Sequence, residues 1–326
     1  DFWRCGSTRK SKSKLRRDLV SWRGPGEGIL ASMVREKSVL DSEQVASFSE
    51  QGYLLLEKAL TDVQLIALQA CFEDWVNESR QFSGSYGQTL DGRARFDVEP
   101  GHTPNHPALR RVSSPIEVSN AYLEVMRDSR ALDAVTQLLG PNVKLNNTKV
   151  NSKLPGTATA VQYHQDFLFE PHSNQDLVAV LFFLDQVTER NGPLELVPGS
   201  HRGPLYDHWH EGRFTGAIAP DIAVSLRAHS IRCTGSAGSA CLMHTRLVHG
   251  SRVNESKSAR TFYIVTYSAE DAHPLAKNHI PSRYEGEVVR GVATNRVRSV
   301  PFEMLIPEYP QEASFFSQQA KTARVD

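Results

Sequence analysis

The sequence predicts a mainly β fold, a sandwich or open barrel of short strands, preceded by helices that cover one sheet. Two observations carry this. From Val143 onward, β-prone runs alternate with Gly, Pro and Asn turns: "VKLNNTKVN", "AVQYHQDF", "LVAVLFFLD", "PLELVP", "IAVSLRAHSIR", "SACLMH" and "RTFYIVTY". Many short strands with turns between them mark a sandwich or barrel. Before residue 140, by contrast, apolar residues recur at helical spacing behind capping residues.

The helices come first in the chain. "LDSEQVASFSEQG" offers Asp41 as N-cap, Gln44 at the capping-box position and Gly52 as the stop. A short strand, "YLLLE", follows. "LTDVQLIALQACFEDWV" repeats the device with Thr61 and Gln64, and its Leu65, Leu68, Phe72 and Trp75 fall at helical spacing. A third helical region runs through "NAYLEVMRDSRALDAVTQLLGP" to Gly140 and Pro141. Between the second and third lies "GSYGQTLDGRARFDVEPGHTPNHPALRR", polar and rich in Gly and Pro, which reads as a long loop. In the β half, "LVAVLFFL" is an unbroken apolar run of strand length. No internal repeat appears.

Composition narrows the class. The chain has 326 residues, 40% of them hydrophobic and 23% charged, an ordinary globular balance. No apolar run approaches the roughly 20 residues that cross a bilayer. The formal net charge of zero is unevenly spread: residues 1–32 hold eight Lys and Arg against three acidic residues, leaving 29 basic and 34 acidic in the rest. A mildly acidic body gives no electrostatic footprint for nucleic acid. The expected partner is a small-molecule substrate, with neither nucleic acid nor membrane. Cys5, Cys71, Cys233 and Cys241 form no CxxC pair and read as free thiols in a reducing compartment, so the cytoplasm is the expected location. The chain begins without Met, and its first Met is Met33. The basic leader over 1–32 is therefore expected to be disordered or no part of the native protein. One domain is expected over 33–300, helical over 41–140 and barrel over 143–270, with a tail over 301–326.

The chemistry centres on "VQYHQDFLFEP". On a strand, His164 and Asp166 would project to the same side and Gln165 to the other. A metal pair and two hydrogen-bonded polar residues both fit that pattern, so a third ligand decides. His249 stands out in "HTRLVHGSRVNESKSARTFYIVTY", after a probable strand, before a Gly-Ser turn and eleven residues ahead of Arg260. Two histidines and one carboxylate leave open positions on iron(II) for a cosubstrate and oxygen side by side. An arginine can hold the far carboxylate of such a cosubstrate bidentately.

"YHQD", then "NGPLELVPGSHRG", then "LVHGSRVNESKSAR", in this order, resembles the phytanoyl-CoA dioxygenase family of iron(II)/2-oxoglutarate oxygenases. The resemblance covers roughly residues 42–270. It implies a double-stranded β-helix, a jelly-roll or cupin-like core, with a helical N-terminal part. It implies Fe(2+) at His164, Asp166 and His249, with 2-oxoglutarate as cosubstrate and O2 as oxidant. Arg260 matches the arginine on the distal carboxylate of 2-oxoglutarate, with Ser251 beside it. Gln165 and Phe182 match positions packed around the cosubstrate, and Lys149 and Asn151 are placed to reach cosubstrate or substrate. The implied activity is hydroxylation of an aliphatic C–H of a small organic substrate, with 2-oxoglutarate converted to succinate and CO2. The carboxylate of Asp166 argues against halogenation, which needs that position vacant. Residues 84–111 and 203–221 are the expected lids, with Arg95, His208 and His210 the expected substrate contacts. Two other readings use the same triad: a zinc-dependent hydrolase and a non-catalytic cupin-like binding protein.

Overall fold

A computed structural model describes residues 38–157 and 160–310. The leader over 1–32 and the predicted tail beyond residue 310 lie outside the described residues. The helical part contains α1 (Ser42–Gln51), β1 (Tyr53–Leu56), α2 (Asp62–Ser79), β2 (Phe96–Val98), β3 (Leu109–Ser113), α3 (Asn120–Arg127) and α4 (Arg130–Leu139). The β half follows with β4 (Val143–Lys153), β5 (Val161–His164), β6 (Leu177–Phe183), β7 (Leu194–Leu196), β8 (Trp209–His210) and β9 (Arg213–Phe214). After α5 (Pro220–Arg227) come β10 (Ile231–Cys233), β11 (Ala240–His244), β12 (His249–Ser251), β13 (Arg260–Ala269) and β14 (Val288–Arg290). No helix among the described residues is long and apolar enough to cross a membrane.

The predicted caps form. Asp41 accepts from the Gln44 backbone N–H while the Gln44 side chain accepts from that of Asp41, and Thr61 and Gln64 do the same for α2. Each box satisfies two otherwise orphaned N–H groups. Three local expectations change. The third helical region breaks in two at Asp128 and Ser129, both extended, because the Ser129 hydroxyl caps a new helix by accepting from Leu132 N–H. The run "IAVSLRAHSIR" is not one strand: Pro220 presets the first turn of α5, none of whose residues is buried, and only Ile231–Cys233 enters a sheet. The presumed loop before residue 111 contains β2 and β3, and β3 pairs with β4.

Two antiparallel sheets face each other. The larger runs β1-β11-β6-β13-β4-β3-β2, with β14 beside β4; the smaller runs β10-β7-β12-β5. This is the double-stranded β-helix expected above. Strand parity divides the core in two. Val180, Phe182, Tyr263, Val265 and Tyr267 point outward into a layer with Leu68, Trp75, Tyr122, Met126 and Val135 of the helices. Ala179, Leu181, Phe183, Phe262 and Ile264 point inward against Leu194 and Leu196 of the smaller sheet. All seven residues of β6 are buried, which explains a run without polar alternation. Tyr263 and Tyr267 donate their hydroxyls to the carbonyls of Tyr122 and Met126, pinning α3 to β13.

Gly250 of β12 sits where β5 comes close. A β-carbon there would lie 2.7 Å from Tyr163 Cδ2 and 2.9 Å from the Val161 carbonyl oxygen. The carbonyl belongs to the paired strand and cannot move away without breaking the β5–β12 ladder. Gly250→Ala is therefore expected to destabilise the fold by roughly 1–3 kcal/mol, as overpacking does. Denaturant unfolding checks this, and an unchanged midpoint would contradict it.

Candidate metal centre

The structure brings His164, Asp166 and His249 together. One ligand atom from each lies within 4.8 Å of the other two, a three-donor set able to hold a metal ion. The Nε2 atoms of His164 and His249 stand 3.4 and 3.9 Å from the two Asp166 carboxylate oxygens. The strands explain the convergence. His249 on β12 sits directly opposite His164 at the end of β5, with ring centroids 4.1 Å apart. Asp166 is not on the strand, as the i, i+2 argument supposed; it opens a short 3₁₀ turn, Asp166–Leu168, which swings its carboxylate toward both rings.

The protonation pattern suits a metal. His164 Nδ1 lies 2.8 Å from the Gln162 carbonyl oxygen, and His249 Nδ1 lies 3.0 Å from that of Leu247. A carbonyl can only accept, so each Nδ1 carries the proton and each Nε2 presents a lone pair inward. Burial, reinforced by the neighbouring His164, pushes His249 down to about 4 and keeps it neutral near pH 7. Burial alone would raise the Asp166 carboxyl, but His249, His164 and Lys149 outweigh it and hold it below the usual carboxylate range. A carboxylate beside inward lone pairs is the form in which these groups ligate.

The donors open into a cavity between the sheets. Its floor is laid by strand parity: Lys149, Asn151 and Lys153 alternate along β4, and Arg260, Phe262 and Ile264 along β13. Leu181, Leu194 and Phe169 supply apolar wall, and Arg111, Ser251 and His279 also line it. Arg260 is 4% exposed and, among the described residues, makes no hydrogen bond or ion pair; its guanidinium carbon lies 4.0 Å from the Phe262 ring centroid. Burial pushes it down to about 9, with Asp185 opposing. Lys153 donates to Ser251 Oγ at 2.7 Å and also to the Arg252 carbonyl. Burial, then the neighbouring Arg260 charge, pushes Lys153 down to about 6. Asn151 Oδ1 is buried without a hydrogen-bond partner among the described residues.

Five expected positions fall elsewhere. Phe182 stacks on Tyr263 in the outer layer, and its neighbour Leu181 lines the cavity, since adjacent strand residues face opposite ways. Gln165 is buried behind the site, donating to the Pro204 and Arg246 carbonyls and accepting from Tyr206 N–H. Arg95 is held by Glu117 at 2.7 Å and by the Gln88, Ser113 and Ser114 carbonyls. His208 packs on Phe169 and accepts from Gln165 N–H at 3.3 Å, while His210 bonds the Ala217 carbonyl; neither lines the cavity. Sequence reasoning missed Lys153, whose signal was its alternation with Lys149 and Asn151. It also missed His279, which lies in a stretch without any periodic pattern.

Comparison with known proteins agrees with this geometry. The family model for phytanoyl-CoA dioxygenase (PhyH) matches residues 48–262. A probable alpha-ketoglutarate-dependent hypophosphite dioxygenase of Stutzerimonas stutzeri is 33% identical over 301 residues, covering 87% of this chain and 99% of that protein. The L-proline trans-4-hydroxylase of Streptomyces griseoviridis is 34% identical over 265 residues, covering 74% of this chain and 92% of its own. The crystal structure of EctD from S. alaskensis with bound Fe shares the fold, with TM-score 0.59 and 21% identity over 81% of this chain and 89% of that one. By the family model and by these sequence relatives, this chain belongs to the phytanoyl-CoA dioxygenase family.

Proposed function

We propose that the protein is an iron(II)/2-oxoglutarate-dependent dioxygenase. Iron is held by His164, Asp166 and His249, and the distal carboxylate of 2-oxoglutarate by Arg260. The observation that carries this is the buried Arg260 guanidinium, without a hydrogen-bond or ion-pair partner among the described residues, lining the same cavity as the three metal donors. A buried cation without a partner costs several kcal/mol, and an anion reaching into the cavity removes that penalty. A dicarboxylate with one end at the metal and the other at Arg260 meets both demands. The named activities of the curated relatives support the same reading.

When bound, the ferrous ion and 2-oxoglutarate supply oxygen activation and two reducing electrons. That chemistry would place one oxygen atom in a C–H bond of the substrate and the other in succinate, with release of CO2. The chain's own residues bind, orient and exclude water. The backbone carbonyls of Gln162 and Leu247 hold the two imidazoles in the ligating tautomer. Ser251 and Lys153 stand beside Arg260, where a carboxylate can accept from them. Leu181, Leu194, Phe262 and Ile264 keep that end of the cavity apolar, so each charge pairing there is strong. A zinc hydrolase on the same triad would leave Arg260 without a use.

His164→Ala is expected to lose iron and turnover together; metal analysis after anaerobic reconstitution measures this, and a full iron complement would contradict the ligand set. Arg260→Ala should weaken 2-oxoglutarate binding by roughly 2–5 kcal/mol, the range for truncating one partner of a buried charge pair. An anaerobic 2-oxoglutarate titration reads it, and an unaltered affinity would place the anchor on another residue.

A further inference from the structure

A second positive pole lies in the same cavity and is not used by the cosubstrate as placed above. Arg111 lies on β3, opposite Asn151 on β4, and Lys149 is the next inward residue along β4. Arg111 is 7% exposed, and among the described residues its one hydrogen bond is a long one, Nε to Ser113 Oγ at 3.4 Å. Lys149 makes no hydrogen bond or ion pair among the described residues, although it lines the cavity. The surrounding arginines differ. Arg93 pairs with Asp91, Arg95 with Glu117, and Arg110 with both Asp97 and Glu99. In a segment where every other arginine has a carboxylate, Arg111 turns inward without one.

Charge balance shows what is missing. With the cosubstrate bound, the ferrous charge is met by Asp166 and one carboxylate, and Arg260 by the other. Burial, and then the Asp166 charge, push Glu170 up to about 8, and burial pushes Lys149 down. Asp97 and Asp166 act on Arg111, and Asp166 and Glu170 on Lys149, but among the described residues no carboxylate forms an ion pair with either cation. A buried and a half-buried cation facing one space are costly unless an anion occupies it, and a guanidinium fork matches a planar or tetrahedral oxyanion.

We propose that Arg111 and Lys149, with Asn151 and His279 beside them, bind the anionic group of the primary substrate. They would hold a compact carboxylate or phosphorus oxyanion against the Asp166 side of the metal. The proposal rests on the oxygenase reading above and deepens it, since it selects small anions and excludes neutral or purely cationic substrates.

The test uses the full chain loaded anaerobically with iron(II) and 2-oxoglutarate, whose visible charge-transfer band responds when a ligand enters beside the metal. Sodium hypophosphite probes the phosphorus oxyanion, L-proline the carboxylate, and L-prolinamide, which keeps the ammonium but lacks the carboxylate, serves as the control. At least one anion is expected to perturb the band saturably while prolinamide does not, and the anion that responds identifies the source. Arg111→Gln should raise the concentration of that anion needed by about thirtyfold or more, the lower bound for breaking a buried charged contact. Lys149→Met repeats the measurement if Arg111→Gln does not fold. Silence toward both anions, or an equal response to prolinamide, overturns the proposal. So does an Arg111→Gln shift in the 2-oxoglutarate titration in place of the anion titration, which would assign the pole to the cosubstrate. Failure of the wild-type protein to develop the band at all would instead sink the oxygenase reading.

Discussion

One backbone pairing underlies the site: His249 on β12 lies opposite His164 on β5. The two residues are far apart in the chain, and only the antiparallel ladder of the smaller sheet brings their rings to 4.1 Å between centroids. The same local device then orients both. Each Nδ1 meets the carbonyl two residues earlier in its own chain segment, so the tautomer is set by backbone that the ladder already fixes. Gly250, pressed against Tyr163 and the Val161 carbonyl, lets the strands approach this closely. Asp166 needs a different solution. Because the strand ends at His164, a 3₁₀ turn brings the carboxylate back toward the rings.

The two sheets divide the labour. The smaller sheet and the turn that follows β5 carry the metal donors, and the larger sheet carries the cations. Lys149, Asn151 and Lys153 alternate along β4, and the register sets them beside Ile264, Phe262 and Arg260 of β13. Polar groups thus stand at defined depths in a wall otherwise made of Leu181, Phe262 and Ile264. Such a wall raises the cost of every unpaired charge and the strength of every pairing. The same wall that would penalise an empty cavity therefore gives anionic ligands their affinity. The arrangement also separates the poles, with Lys153, Ser251 and Arg260 at one end and Lys149 and Arg111 at the other.

Much of this was legible in the sequence because local chemistry dictated it. The two capping boxes, the buried run of β6 and the ordered His-x-Asp, His and Arg motifs all depend on near neighbours in the chain. Misplacements came where a non-local choice decided the outcome. Phe182 and Leu181 are both apolar, and only the position of the helices says which one faces outward. Arg95 and Arg111 look alike in a polar stretch, yet β2 and β3 pair there and give them opposite fates: one is locked to Glu117 and the other lines the cavity. Gln165 sits between two metal donors but serves the loop behind them, holding Pro204, Tyr206 and Arg246 by three hydrogen bonds. Nothing in its immediate sequence distinguishes those roles.

The outer layer bears on the chemistry although it touches none of it. β13 is buried along its whole length, with Arg260 at its head and Tyr263 and Tyr267 anchored to the carbonyls of Tyr122 and Met126. A strand held on one face by two buried hydroxyls and on both edges by β4 and β6 cannot easily tilt. The guanidinium at its end inherits that rigidity, as do Phe262 and Ile264 beneath the cavity. A buried cation can be kept without a fixed partner only if its surroundings do not relax to solvate it or let water in. The helices that pack on the outer face supply that resistance. They are the physical reason an anion-binding arginine can sit preorganised in an apolar wall.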